Sequence, residues 1–248
     1  MPRLRLASAL LVPEPTAREI DGLRRALGED VGRVAPHLTL VPPVNVRADD
    51  LAAALRQLRT AAAAVEPITV TLGPPVTFHP VNPTVYLEVG GDIDAVRRIR
   101  EVVFAGPLSR TMTHEFVPHV TLVESTTPDR ISAALMALAD YSAEVTFEAA
   151  HLLQEHNRRW RPIADARFAA ALIVGRGGIE TEISVSSLAD PHVREFAGVP
   201  DPDVELVVVA RRGGDVVAVA YAAGGELLHV TGDTDLERHL LKAAYSRQ

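Results

Sequence analysis

Two short stretches decide how this chain is read: Pro36-His37-Leu38-Thr39-Leu40 and, 82 positions later, Pro118-His119-Val120-Thr121-Leu122. In each, one apolar residue separates a His from a Thr. Side chains of a β-strand alternate between its two faces. If both stretches are strands, His37 and Thr39 share one face, and Leu38 and Leu40 enter a core. His119 and Thr121 stand in the same relation to Val120 and Leu122. Two such strands facing one cleft supply two imidazoles, each beside a hydroxyl. One imidazole can take a proton from the attacking oxygen while the other protonates the leaving oxygen. The hydroxyls can donate to the non-bridging oxygens, where charge gathers. That is a workable apparatus for phosphoryl transfer without a metal.

The doubled motif resembles the signature of the 2H phosphoesterase superfamily, which includes 2'-5' RNA ligase-like proteins and cyclic nucleotide phosphodiesterases. The resemblance covers residues 3–165 and is carried by His37, Thr39, His119 and Thr121. It implies an α+β fold, bilobal and pseudo-symmetric, with antiparallel sheets, outer helices and a cleft between the lobes. It also implies catalysis by the two His and two Thr, with no cofactor and no metal. The expected substrate is a 2',3'-cyclic phosphate or a related small cyclic or 2'-5' nucleotide ester. The alternative is a protein that binds nucleotides or RNA ends in the same cleft with little turnover.

Further site candidates surround the motifs. Thr77-Phe78-His79-Pro80 followed by Val85-Tyr86-Leu87 resembles the middle of the same branch, where an aromatic residue lies near the pocket. Phe78 and Tyr86 are candidates to stack on a base or ribose, and each fits a core equally well. His79 is a third polar group at the cleft or a turn residue. Arg110 and His114 precede the second motif, where the family often places a phosphate-gripping residue; Glu115 beside them opposes that role. Residues 155–161 read as a charged turn. In it, Arg158 could meet phosphate and Trp160 a base, or the segment is a hairpin whose Trp packs on the core.

The composition bounds the partners. The 248 residues carry a formal charge of -7, which does not attract long duplex nucleic acid. A small nucleotide or RNA end in a local pocket is the better expectation. The chain has no Cys, so thiolate catalysis and disulfides are excluded. A metal hydrolase would want acidic residues beside the His, and only Glu124 is near a motif. No apolar run approaches the ~20 residues needed to span a bilayer. The expectation is a cytoplasmic protein with no membrane partner.

Hydrophobic periodicity predicts strands over 4–12, 34–41, 68–72, 85–89, 116–123 and 144–153, with helices over 16–27, 51–64, 92–104 and 129–139. Pro42-Pro43 should close the first motif strand, and Gly73-Pro74-Pro75 should be a turn. These elements form a first domain, 1–165. A second, 166–248, reads as a small α+β unit. Its expected strands are 169–174, 179–185, 204–210, 216–221 and 226–230, with helices over 187–196 and 236–245. A meander followed by a helix is distantly similar to a degenerate, truncated acyl-CoA N-acetyltransferase. The segment Val230-Thr231-Gly232-Asp233-Thr234-Asp235 carries two Asp where such a loop would hold pyrophosphate, so coenzyme binding is not expected. Open sheet edges favour a lid or a homodimer interface instead.

Overall fold

The two motif strands, β2 (His37–Arg47) and β5 (His119–Val123), begin with the same alternation: half-buried His, buried aliphatic, half-buried Thr, buried Leu. Leu38, Leu40, Val120 and Leu122 are all fully buried, as the period-two reading requires. The computed structural model describes residues 2–63, 65–112, 114–168, 172–175, 180–186, 190–201, 203–213, 215–223 and 226–245. By internal contacts the chain divides into two units: Met1–Leu58 with Pro67–Ala166, and Arg59–Glu66 with Arg167–Gln248.

The first unit holds an eight-stranded antiparallel sheet, ordered β6-β3-β4-β5-β2-β1-β7-β8. The strands are β1 (Arg3–Leu11), β2, β3 (Ile68–Thr77), β4 (Val85–Gly91), β5, β6 (Ala143–Phe147), β7 (Ala149–His156) and β8 (Arg159–Arg167). The helices are α1 (Thr16–Leu27), α2 (Leu51–Ala63, whose residues from Arg59 on belong to the second unit), α3 (Ile93–Val103) and α4 (Pro128–Ala137). The sheet is two four-stranded halves joined where β5 meets β2, and that junction has one register pair, Leu38 with Val120.

Helix boundaries follow local chemistry. Gly28 ends α1 in a left-handed conformation, φ 89°, that favours glycine. The Asp92 carboxylate accepts from the Ala95 N–H at 3.0 Å and starts α3. Val96, Ile99 and Val103, spaced at helical intervals, are the buried face of α3.

The chain departs from the sequence reading in three places. First, β2 runs on through Pro42-Pro43 to Arg47. Its register with β1 shifts between Leu6 and Ser8 opposite this point, and β5 pairs only at Leu38, so the prolines break no ladder. Second, β3 continues through Gly73-Pro74-Pro75 as a bulge between Leu72 and Pro75. Gly73 is obligatory there: its φ is +111°, and a Cβ would lie 2.2 Å from the Tyr141 carbonyl oxygen.

Third, the expected strand 144–153 is two strands separated by Glu148 alone. β6 pairs with β3 and β7 with β1, in opposite halves of the sheet. One residue spans only about 3.5 Å, so this crossing holds the far margins of the two half-sheets together at one end. Residues 155–161 take the hairpin alternative, joining β7 to β8. Asn157 and Arg158 take positive φ of 50° and 62°, the two-residue turn that matches strand twist.

The second unit holds a five-stranded antiparallel sheet, ordered β13-β12-β11-β10-β9. The strands are β9 (Leu172–Val174), β10 (Thr181–Ser186), β11 (Leu206–Arg212), β12 (Asp215–Ala223) and β13 (Glu226–Gly232). Helix α6 (Glu237–Tyr245) packs Leu240, Ala243 and Ala244 on one face, over Ile183, Val208 and Ala218. Val193 of α5 (Pro191–Ala197) joins Val207, Val209 and Tyr221 in a second cluster. Asp190 caps α5 and pairs with Arg211 at 2.7 Å. Residues 176–178, 187 and 224–225 lie outside the described residues. Asp233, in the acidic loop, accepts from the Asp235 N–H and from Arg212. It therefore works as a structural cap. Among the described residues no helix is long and apolar enough to cross a membrane.

Candidate active site

The site grows from the Leu38–Val120 pair. Continuing the antiparallel register one step each way sets His37 opposite Thr121 and Thr39 opposite His119. Directly opposed residues in such a pair point to the same face. The four motif side chains thus form a quadrilateral with a local two-fold at Leu38–Val120.

Both imidazoles are held in the same way. His37 Nδ1 lies 2.8 Å from the carbonyl oxygen of Ala35, and His119 Nδ1 lies 2.7 Å from that of Val117. A carbonyl can only accept, so Nδ1 carries the proton in both rings. In the neutral state Nε2 is then the basic nitrogen of each. The pKa of both is pushed below the ordinary imidazole value, chiefly because burial disfavours the charged ring; the backbone hydrogen bond opposes this. Arg24 and His119 also depress His37, and Glu124 raises it.

The surroundings differ between the halves. On β4, Tyr86 stands opposite Thr121 and Glu88 opposite His119. Phe78 stacks on Tyr86 at 4.2 Å between ring centroids, and both rings meet His119 edge-on, at 5.3 and 5.2 Å. Phe78 is half-buried and Tyr86 buried, so the pair forms a wall beside His119. On the other side, Leu11 stands opposite His37 and Ala9 opposite Thr39. Arg24 is buried and donates to Asp21 and to the Val34 carbonyl, which fixes the approach to β2. Arg33 pairs with Glu124, whose backbone N–H donates to Glu29 at 2.8 Å. Glu124 is thereby engaged at the end of β5.

The remaining sequence candidates fare differently. Trp160 is buried with Ala7, Ala9 and Leu153, with Leu11 and Val34 beside them. Ala9 and Leu11 stand opposite Thr39 and His37, so the ring packs on the quartet's face as part of an apolar cluster. Arg158 is exposed in the β7–β8 turn. Arg110 donates to the Pro43 carbonyl oxygen at 2.9 Å. His79 and His114 are exposed. Among the described residues, none of these five makes a hydrogen bond, ion pair or ring contact with the His–Thr quartet. Sequence reading missed Glu88 and His151. His151 stands opposite Ala9, which is itself opposite Thr39, so a third imidazole shares the quartet's face two strands out. Its Nδ1 is enclosed without a hydrogen-bond partner, and burial lowers its pKa. Alternation along 149–156 could have flagged it, had β7 been separated from β6. Among the described residues no group of three or more His, Asp or Glu is arranged to hold a metal ion.

A bilobal antiparallel α+β fold with paired His-x-Thr strands defines a phosphoesterase-type architecture. Residues 12–159 match the 2'-5' RNA ligase superfamily, and the chain belongs to that superfamily. A candidate phosphoesterase of Bacillus pumilus is 30% identical over 155 residues, 61% of this chain and 90% of the relative. Another, of Bacillus licheniformis, is 28% identical over 155 residues, 61% of this chain and 91% of its own. Among solved structures, E. coli LigT complexed with 3'-AMP is 20% identical with a TM-score of 0.48, over 68% of this chain and 100% of that one. The TT0787 protein of Thermus thermophilus is 16% identical with a TM-score of 0.49, over 66% and 97%. The family match ends before residues 167–248, the larger part of the second unit, and the acetyltransferase likeness gains no support from these comparisons.

Proposed function

We propose that the protein is a metal-independent phosphodiesterase that opens a 2',3'-cyclic phosphate or a related small cyclic or 2'-5' nucleotide ester. The observation that carries this reading is the pair of matched imidazoles, each with Nδ1 tied to a backbone carbonyl and a Thr hydroxyl opposite. One Nε2 accepts the proton of the attacking water as the P–O bond forms. The other imidazole, protonated, gives its proton to the leaving ribose oxygen as the second P–O bond breaks. Thr39 and Thr121 donate to the non-bridging oxygens. The Phe78–Tyr86 wall supplies an apolar side for the nucleoside. The local two-fold leaves the acid and base roles interchangeable, and with a 5'-hydroxyl in place of water as the attacking group the same two proton transfers would form a diester and join ends.

The test is hydrolysis of a panel of 2',3'-cyclic nucleotides with chelator present, beside His37→Ala and His119→Ala. Turnover by the parent, with each variant slowed about 10²–10⁴-fold, is the expected result. A parent inactive on the whole panel, or a variant that retains its rate, overturns the reading. We further propose that the second unit mediates self-association, because β13 and β9 stand at the margins of its sheet. Sedimentation of the full chain as a monomer would overturn that.

A further inference from the structure

Arg100, on α3, is only 8% exposed, yet its guanidinium forms no ion pair among the described residues. Its Nε is enclosed without a hydrogen-bond partner. The guanidinium carbon lies 4.4 Å from the ring centroid of Phe104 and 4.3 Å from that of Phe116. The rings attract the charge but offer its N–H groups no strong acceptor. Burying a cation in this way is costly unless an anion completes it. Burial accordingly lowers the pKa of Arg100.

The same three residues, with Arg97 and Glu101, line a cavity open to solvent, of about 440 Å³. That volume is of ligand size, more than a bare oxyanion needs. Arg97 is engaged with Asp94 at 3.6 Å. With Arg97 offset by Asp94, Arg100 is the lining cation left for a ligand, and Glu101 opposes a second negative charge, so the lining matches a monoanion rather than a dianion. The Phe rings provide an apolar wall. A planar guanidinium fork suits two oxygens of one oxyanion.

We infer that the cavity between α3 and the segment leading into β5 is a second ligand site, separate from the His–Thr quartet. It takes a monoanionic oxyanion on an apolar body, the anion on Arg100 and the body against Phe104 and Phe116. A carboxylic acid and a phosphodiester both present that chemistry.

The test titrates the full chain with phenylacetate, with methyl phenyl phosphate and with neutral phenylacetamide. Binding is read from NMR shifts of the Arg100, Phe104 and Phe116 amides. At least one anion should saturate these shifts while the amide does not, and the tighter anion identifies the source. Glu101 is exposed, so Glu101→Gln should fold normally, and removal of its repulsion should tighten anion binding about threefold. Arg100→Lys keeps the charge but loses the fork, and should weaken binding about tenfold. The inference is overturned if neither anion saturates by about 10 mM, or if the anions bind no better than the amide. It is also overturned if Glu101→Gln leaves the affinity unchanged, a result that stands even if Arg100→Lys does not fold.

Discussion

Leu38 and Val120 are each other's partners across the junction of the two half-sheets, and both are fully buried. Everything at the candidate site depends on this pair. It sets the register that brings His37 to Thr121 and Thr39 to His119. Leu38→Ala should cost about 2–5 kcal/mol of stability. Urea unfolding measures it; a loss below about 1 kcal/mol would mean that the junction is not anchored here.

The hydroxyls should matter through charge stabilisation rather than packing, since both Thr are half-buried. Thr39→Ala and Thr121→Ala should each lower kcat about 10²-fold, and Thr→Ser should restore most of it. Kinetics on a cyclic-phosphate substrate decide this. Equal loss in the Ala and Ser variants would point to the methyl group and against the proposed role.

The two depressed imidazoles set the pH profile. Catalysis needs one neutral ring and one protonated ring, so the rate follows the singly protonated pair. With both pKa values below the ordinary 6.5 or so, that pair is most populated on the acid side of it. The kcat/KM maximum should therefore fall below about pH 6.5. A maximum above neutrality would contradict the proposed division of labour.

The same shifts affect stability. A ring whose folded pKa is depressed is held neutral by the fold, while the unfolded chain takes up its proton first. The stabilising contribution is fully present above the unfolded value of about 6.5 and is lost as pH falls through the folded values. Stability should decline on acidification below about pH 6.5, and His37→Gln with His119→Gln should shrink that slope. Denaturation midpoints between neutral and acidic pH measure it; an unchanged slope would reject it.

Trp160 offers a check on what belongs to the cleft. It is the chain's one Trp and is buried in an apolar cluster. Trp160→Ala should cost about 3–5 kcal/mol. Native emission should be blue-shifted and little changed by saturating substrate. Strong quenching by a nucleotide would instead put the base on this ring.

The alternation in His37-Leu38-Thr39-Leu40 and His119-Val120-Thr121-Leu122 was enough to assign both strands, their buried faces and the shared exposure of His and Thr. Period and polarity are local properties, so sequence carries them. The same holds for α1, stopped by Gly28, and for α3, started by Asp92. Sequence misread Pro42-Pro43 and Gly73-Pro74-Pro75 as endings because a proline's tolerance in a strand depends on whether a neighbour needs its missing N–H. It also read 144–153 as one strand. No glycine or proline marks Glu148, and only the pairing of β6 with β3 and of β7 with β1 separates the two. The pairing of β7 with β1 brings His151 onto the quartet's face. The cleft polar chemistry is left to residues brought together from β2, β4 and β5. Local pattern determined which side chains could do chemistry; long-range pairing decided which of them meet, because register is set by partners distant in the chain.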